Sequence, residues 1–243
     1  MTVKVTQPAI NLREKLVELS QKTTDTGIVL DATIDATHKF GFDSSANNSG
    51  TQGGILDLQG SWSYSTTAKI GSHSLNFAEA QTGYGNINGV NANSNGTASM
   101  GAWFYITRHN SSQRSYIVDF RGSNGGAGYW LIDNDNTMTI LRNNSAEWRF
   151  SFYPKFNEWE HLAIVGDNAS NTISVYRNGV LFNKDSGVNF RFLSSVLVLG
   201  TYFNARGSSG QYFLNGKVDN FFLSNRAYDA GEIQRIYRSG VKY

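Results

Sequence analysis

Few residues in this chain carry the types and spacing that chemistry needs. Glu158 and Glu160 come nearest to an acid/base pair: two positions apart on a strand, they would share one face. Paired carboxylates can cleave glycosidic bonds when one donates a proton and the other acts as nucleophile or base. Glu160, however, lies between Trp159 and His161 at a strand end, where a solvated carboxylate is the expectation. His38, His73, His109 and His161 show neither H-x-H nor H-E-x-x-H spacing, so they offer no zinc or nucleophilic site. His161 is instead expected to be a hydrogen-bonded framework residue. The run GSNGGAG at 122–128 lacks the Lys-Ser/Thr of a phosphate loop and opens no helix, so it reads as a flexible turn. On these grounds the chain is expected to be no enzyme.

Binding chemistry is better represented. A pyranose needs an aromatic platform for its apolar face, with amide and carboxylate groups to fix its hydroxyls. Trp62, Tyr64, Tyr84, Tyr129, Tyr202 and Tyr212 are the candidate platforms for carbohydrate. Their positions near turns select them, although spacing alone does not separate exposed rings from buried ones.

The elements that position these residues are strands. In Asn157 to Phe182 (NEWEHLAIVGDNASNTISVYRNGVLF), Trp159, His161, Ala163 and Val165 alternate with Glu160, Leu162 and Ile164, and Gly166-Asp167-Asn168 then ends the run. A second strand carries Ile173 and Val175 on one face and Ser174 and Tyr176 on the other. Asn178-Gly179 supplies a type I′ hairpin turn, which would place Tyr176 opposite Leu181 and Val175 opposite Phe182. The segment MGAWFYI is apolar on both faces, as a central strand should be. Similar short runs recur along the chain between Gly/Asn/Ser turns, with Ile28–Leu30 the first of them and Phe213 to Leu223 the last. Asp229-Ala-Gly-Glu232 then has the form of a capping box, opening a short helix with Ile233, Ile236 and Tyr237 on one side and Gly240 at its end.

Composition agrees with an all-β domain. The 243 residues contain 13% aromatics, 25 Gly and only 2 Pro, which suits short strands joined by tight turns. Lys+Arg 21 against Asp+Glu 19 leaves +2, with no basic run, so nucleic acid is not an expected partner. No apolar stretch approaches the ~20 residues of a spanning helix. Cysteine is absent, which excludes disulfides and thiolate metal sites. The N-terminus lacks the pattern of a secretory signal, so the Asn-x-Ser/Thr triplets at Asn47, Asn95, Asn110, Asn143 and Asn168 read as turn composition rather than glycosylation sites.

W-x-H-L-A-x-x-x-D, a polar turn, an apolar strand, Asn-Gly and another apolar strand resemble the middle of laminin-G-like, concanavalin A-like domains. The flanking order is similar too: KIGSHSLNF and SMGAWFYI upstream, LVLGTYF and GQYFLNGKVDNFFLSNRAYDAGEIQRIYRSG downstream. The resemblance covers about Ile28 to Gly240. It implies an antiparallel β-sandwich of the jelly-roll type over residues 27–243, with a short C-terminal helix. Sandwich glycoside hydrolases of this kind carry E-x-D-x-x-E, which is missing here. Many laminin-G-like domains hold calcium, and Asp219 in GKVDNFFL matches the position of an inward carboxylate in them. Asp133, Asn134 and Asp135 offer a second oxygen cluster. For Asp219 the competing reading is a carboxylate accepting backbone hydrogen bonds, and for Asp133 to Asp135 an ordinary hairpin turn. Calcium is the one cofactor left open.

Residues 1–26 differ from the rest. Val3 and Val5 form an alternating arm, and Asn11-Leu-Arg-Glu14 has capping-box form ahead of a helix of about three turns with Leu12, Leu16 and Leu19 on one side. So short a helix is marginal alone, so its stripe must lie on the sandwich or on another chain; the second is the expectation, with Val3, Val5, Ile10, Leu12, Leu16 and Leu19 as the docking residues. The segment VKVTQPAINLREKL is similar to the N-terminal segment of tail, fibre and other virion proteins of marine bacteriophages. That resemblance implies a virion protein anchored by residues 1–26 to other particle proteins. Its sandwich would be displayed outward for decoration or for contact with a host-surface glycan, with a homo-oligomer possible.

Overall fold

The computed structural model describes residues 35–78, 82–90, 97–108, 114–120, 128–142, 148–188, 196–202 and 212–241. The proposed anchor over 1–26 with its docking residues, the strand at Ile28–Leu30, His109 and the glycine-rich loop at 122–127 lie outside the described residues.

In chain order the strands begin with β1 (His38–Phe40), β2 (Asp57–Gln59), β3 (Ser63–Ser65), β4 (Ser74–Phe77) and β5 (Tyr84–Asn88). They continue with β6 (Ala98–Ile106), β7 (Ser115–Asp119), β8 (Gly128–Ile132), β9 (Met138–Arg142) and β10 (Trp148–Phe152). The last are β11 (Trp159–Asp167), β12 (Thr172–Arg177), β13 (Val180–Ser186), β14 (Val196–Leu199) and β15 (Gly216–Ser224), before helix α1 (Ala230–Ser239). One sheet has eight strands in the order β13-β12-β11-β6-β15-β4-β3, with β1 added along β15, and the other has seven in the order β10-β9-β8-β7-β14-β5-β2. All pairings between named strands are antiparallel. The expected all-β sandwich with one C-terminal helix is what forms.

Alternation decides which side chains fill the space between the sheets. Leu162 and Ile164 of β11, Phe104 of β6, Val218 of β15, and Trp130 and Ile132 of β8 join one continuous inter-sheet core. Phe104 meets Trp130 across the gap edge-on at 5.6 Å. The opposite face of β11 is also buried: Ala163 and Val165 pack with Tyr176, Phe222 and Tyr228 beneath Ile233 and Ile236 of α1. Two buried faces explain the apolar run of β6 and the long buried stretch of β11, in which even Glu160 and His161 are covered.

α1 starts as the capping box predicts: Glu232 N–H donates to Asp229 Oδ1 at 2.8 Å, and Asp229 N–H donates back to Glu232 Oε2 at 2.8 Å. Gly240 follows, but at φ −97° it needs no left-handed conformation. Its requirement is space, since a Cβ there would run into the Trp103 indole.

The Asn178-Gly179 turn has positive φ at both residues, 51° and 76°, and Tyr176 pairs with Leu181. Val175, however, pairs with Asn183 rather than Phe182, because a bulge sets Phe182 apart as an extra residue. The Phe182 ring instead meets Phe150 and Phe152 edge-on at 5.4 and 5.3 Å, where the outer strands of the two sheets come together. Trp148 Nε1 donates to Asp185 Oδ2 at 2.5 Å across the same seam.

Candidate functional site

On the seven-stranded sheet, residues that alternate with core positions face away from the sandwich interior. Trp130 and Ile132 of β8 join the inter-sheet core, so Tyr129 and Leu131 lie on the outer face, where they form a separate cluster with Tyr116. A bulge between Tyr116 and Val118 buries both Ile117 and Val118 inward while leaving Tyr116 outside. Tyr202 and Tyr212, from the segments flanking 203–211, close over it.

Tyr116 is the hub of this group. Its ring lies 5.2 Å from Tyr129, 5.2 Å from Tyr202 and 5.8 Å from Tyr212, and the last two are 6.0 Å apart. Tyr116 and Tyr129 are buried, whereas Tyr202 and Tyr212 are half-buried and offer ring surface to solvent. Just past β8, Asp133 is buried between two guanidiniums: Oδ1 accepts from Arg114 Nε at 3.1 Å and Oδ2 from Arg149 Nη2 at 3.0 Å. The hydrogen bond and charge of Asp133 raise the Arg114 pKa, and Tyr116 and Tyr129 add to the effect from nearby. The arginines stay about half exposed, at 48% and 52% of their side chains. Arg149 is thus left with donors for a ligand oxygen. Thr139 and Ser151 add a hydroxyl pair at 2.8 Å.

Tyr129, Tyr202 and Tyr212 are therefore brought together, as three of the six aromatic candidates. Tyr84 lies on the same outer face, opposite Gln59 in β5 and β2, with β14 between it and the tyrosine group. Trp62 and Tyr64 belong to the other sheet's end, ring against ring at 5.4 Å and packed on the inter-sheet core. Sequence reasoning missed Tyr116, Arg114 and Arg149. The Tyr116–Tyr129 proximity needs the β7–β8 register, which the bulge hides, and neither arginine carries a local signal.

The two carboxylates of the candidate acid/base pair are separated in role. Glu158 sits in the turn before β11, exposed, with Lys155 Nζ at 3.5 Å. Glu160, expected to be solvated, is buried. Its Oε1 accepts from Arg177 Nε at 2.7 Å and pairs with Nη2 at 2.5 Å, and Oε2 accepts from the Lys155 backbone N–H at 2.7 Å. β12 brings Arg177 across the sheet to it, a pairing that the local sequence does not announce.

The oxygen groups suggested for calcium have protein partners of their own. Asp133 already faces two fixed cations, and Asp135 is exposed in the hairpin turn, accepting from the Thr137 backbone at 2.9 Å and its hydroxyl at 2.6 Å. Asp219 Oδ2 accepts from the backbone N–H groups of Lys69 and Ile70 at 2.8 and 2.9 Å, while its Oδ1 is buried with no hydrogen-bond partner among the described residues. Among the described residues no group of three or more His, Asp or Glu converges on a metal position.

Asp219 belongs to a buried row with Trp103 and His161, which lie opposite one another on β15, β6 and β11. His161 was expected to be a hydrogen-bonded framework residue. Among the described residues neither ring nitrogen has a partner, and the imidazole packs instead against Trp103 and Tyr237 at 5.3 and 6.1 Å. Its backbone N–H carries the framework bond, donating to Asn178 Oδ1 at 2.9 Å.

Burial lowers the His161 pKa from 6.5 to about 3, so unfolding takes up a proton at any pH between these values. The stability it contributes is complete above pH 6.5 and is lost as pH falls toward 3. Asp219 acts in the other direction. Burial raises its carboxyl from 3.8 to about 6, outweighing the backbone hydrogen bonds from Ile70 and Lys69, so its contribution is full below 3.8 and is lost as pH rises through about 6. His161→Phe should therefore lose less stability than the parent protein between pH 7 and 4.5, by on the order of 2 kcal/mol. Thermal melts at the two pH values give the comparison, and an equal or larger loss in the variant would remove His161 from the account.

A family model described as the concanavalin A-like lectin/glucanases superfamily matches residues 79–234. No curated protein sequence matches the chain. Among solved structures, domain 4 of an extracellular arabinanase from Geobacillus stearothermophilus, in complex with arabinotriose, is similar at TM-score 0.65 and 15% identity, covering 84% of this chain and 98% of that domain. The botulinum neurotoxin serotype D binding domain is similar at TM-score 0.65 and 13% identity, over 85% of this chain and 52% of that one. A botulinum neurotoxin type C structure, whose toxin depends on interaction with two ganglioside molecules, gives TM-score 0.65 and 14% identity over 87% of this chain and 52% of that one. The chain thus spans about half the length of these toxin fragments. At such identities the likeness shows the fold alone.

Proposed function

Because this chain belongs to the concanavalin A-like lectin/glucanases superfamily, we propose that it is a non-enzymatic glycan-recognition domain that binds through the tyrosine face of its seven-stranded sheet. One observation carries this reading: three tyrosines converge on Tyr116 beside the Arg114–Asp133–Arg149 group. Half-buried rings offer stacking surface to a sugar, and the arginine donors and neighbouring hydroxyls offer fixed partners for its oxygens. Arabinotriose bound to the arabinanase domain and the gangliosides of the type C toxin fit this choice of ligand class. The Glu160–Arg177 pair supports the non-enzymatic part, since a buried carboxylate whose two oxygens are taken by Arg177 and by the Lys155 N–H has none left to meet a glycosidic bond. A glycan array is the test: selective binding is expected, and a blank array with folded protein rejects the reading.

The finer setting we propose is a bacteriophage particle. Residues 1–26 would attach the domain to other virion proteins, and the sandwich would be displayed on the virion surface as a decoration, fibre or tail component. The resemblance of VKVTQPAINLREKL to virion leaders supports this. Deleting residues 1–26 should leave a folded domain that no longer joins particles. Unimpaired incorporation would leave a free carbohydrate-binding module as the better description.

A further inference from the structure

Among the described residues, the other sheet has a partly exposed strip of its own. Beside the buried row of His161, Trp103 and Asp219, the next outward positions on five adjacent strands fall into one continuous register. Trp159 of β11 is opposite Tyr105 of β6, Tyr105 opposite Lys217 of β15, Lys217 opposite Asn76 of β4, and Asn76 opposite Ser63 of β3. Their chain neighbours Phe104, Val218, Leu75 and Phe77 lie in the inter-sheet core, so these five side chains project outward. Four are half-buried and Ser63 is exposed, in contrast to the fully covered row next to them.

The row has the parts of a binding ledge. The Trp159 and Tyr105 rings meet at 5.6 Å and 65°, and Lys217 Nζ lies 4.5 Å from the centre of the Tyr105 ring. Asn76 Nδ2 donates to Ser63 Oγ at 3.2 Å, leaving the amide oxygen and the hydroxyl proton for a ligand. Lys69, over Trp103 at 4.4 Å, stands at its border as a second cation. Asp219, in the adjacent row, is buried and tied to backbone N–H groups, and the exposed Glu158 beside Trp159 has Lys155 Nζ at 3.5 Å. Five strands span ~19 Å between the outermost residues, the reach of an oligosaccharide rather than of a single sugar.

We infer that this row is a second glycan site, distinct from the tyrosine face, and that it takes an anionic oligosaccharide. Rings at one end would stack on sugar faces, Lys217 and Lys69 would pair with carboxylate or sulfate, and Asn76 and Ser63 would fix hydroxyls. Burial lowers the Lys217 pKa, and an anion at this position would offset that desolvation.

Titration calorimetry of the full chain with a heparin octasaccharide, an oligogalacturonate and a neutral xylohexaose tests the inference. At least one anionic probe should bind more tightly than xylohexaose, and which one it is separates sulfate from carboxylate recognition. Lys217→Gln should weaken that binding at least tenfold without moving the melting temperature, and Asn76→Ala should weaken it severalfold. The absence of binding by both anionic probes would overturn the inference. So would binding that survives Lys217→Gln, or an oligothymidylate that binds more tightly than either.

Discussion

Tyr202→Ala, and separately Tyr212→Ala, should weaken glycan binding by roughly 30-fold, in line with the ~2 kcal/mol or more lost when an aromatic anchor is truncated. Both rings are half-buried and rest on Tyr116, so each substitution removes stacking surface and part of the support for the other ring. The fold should tolerate either change, because neither ring enters the inter-sheet core. Phenylalanine at the same positions keeps the ring and should retain most of the affinity, which separates stacking from hydroxyl contacts. Affinities by calorimetry for the strongest glycan of the array, with melting temperatures as the control, decide the matter. Unchanged affinity in both alanine variants would move the site elsewhere.

Glu160→Ala carries the largest expected cost in stability, about 3 kcal/mol. Removing one partner of a buried ion pair leaves the other uncompensated. The lower part of the usual range applies because the Arg177 side chain keeps 22% exposure. Arg177 also lies over the Phe152 and Phe182 rings at 5.2 and 5.5 Å, so its displacement would loosen the seam between the sheets. For a domain of this size the change corresponds to a fall in Tm of roughly 6–12 °C. Glycan affinity at a temperature where the variant is folded should be unchanged, since Glu160 lies on the eight-stranded sheet and the tyrosine face on the other. Full stability in Glu160→Ala would contradict the assigned role.

Local spacing made much of the fold legible. The alternation in β11, the apolar run of β6, the Asn178-Gly179 turn and the Asp229–Glu232 box each depend on neighbours within a few residues, and each forms as expected. Side-chain contacts and register across strand pairs were not legible in that way. Glu160 looked solvated because nothing near it in sequence announces Arg177, and Phe182 was placed opposite Val175 because a two-residue turn gives no hint of the bulge.

The candidate site divides along the same line. Aromatic residues near turns could be picked out, but their sorting onto two sheets depends on β3 pairing with β4 while β7 pairs with β8 and β14. That sorting left Trp62 and Tyr64 against the inter-sheet core and gathered Tyr129, Tyr202 and Tyr212 around Tyr116. Asp133 suggested a cation ligand by its residue type, and became an anchor for two arginines once β10 had folded alongside.

Amide chemical-shift mapping of the ¹⁵N-labelled chain against its strongest array glycan tests the central claim most directly. The account predicts the largest shifts at Arg114, Tyr116, Tyr129, Asp133, Tyr202 and Tyr212. Shifts of equal size confined to other parts of the sandwich, with these six amides unmoved, would contradict it.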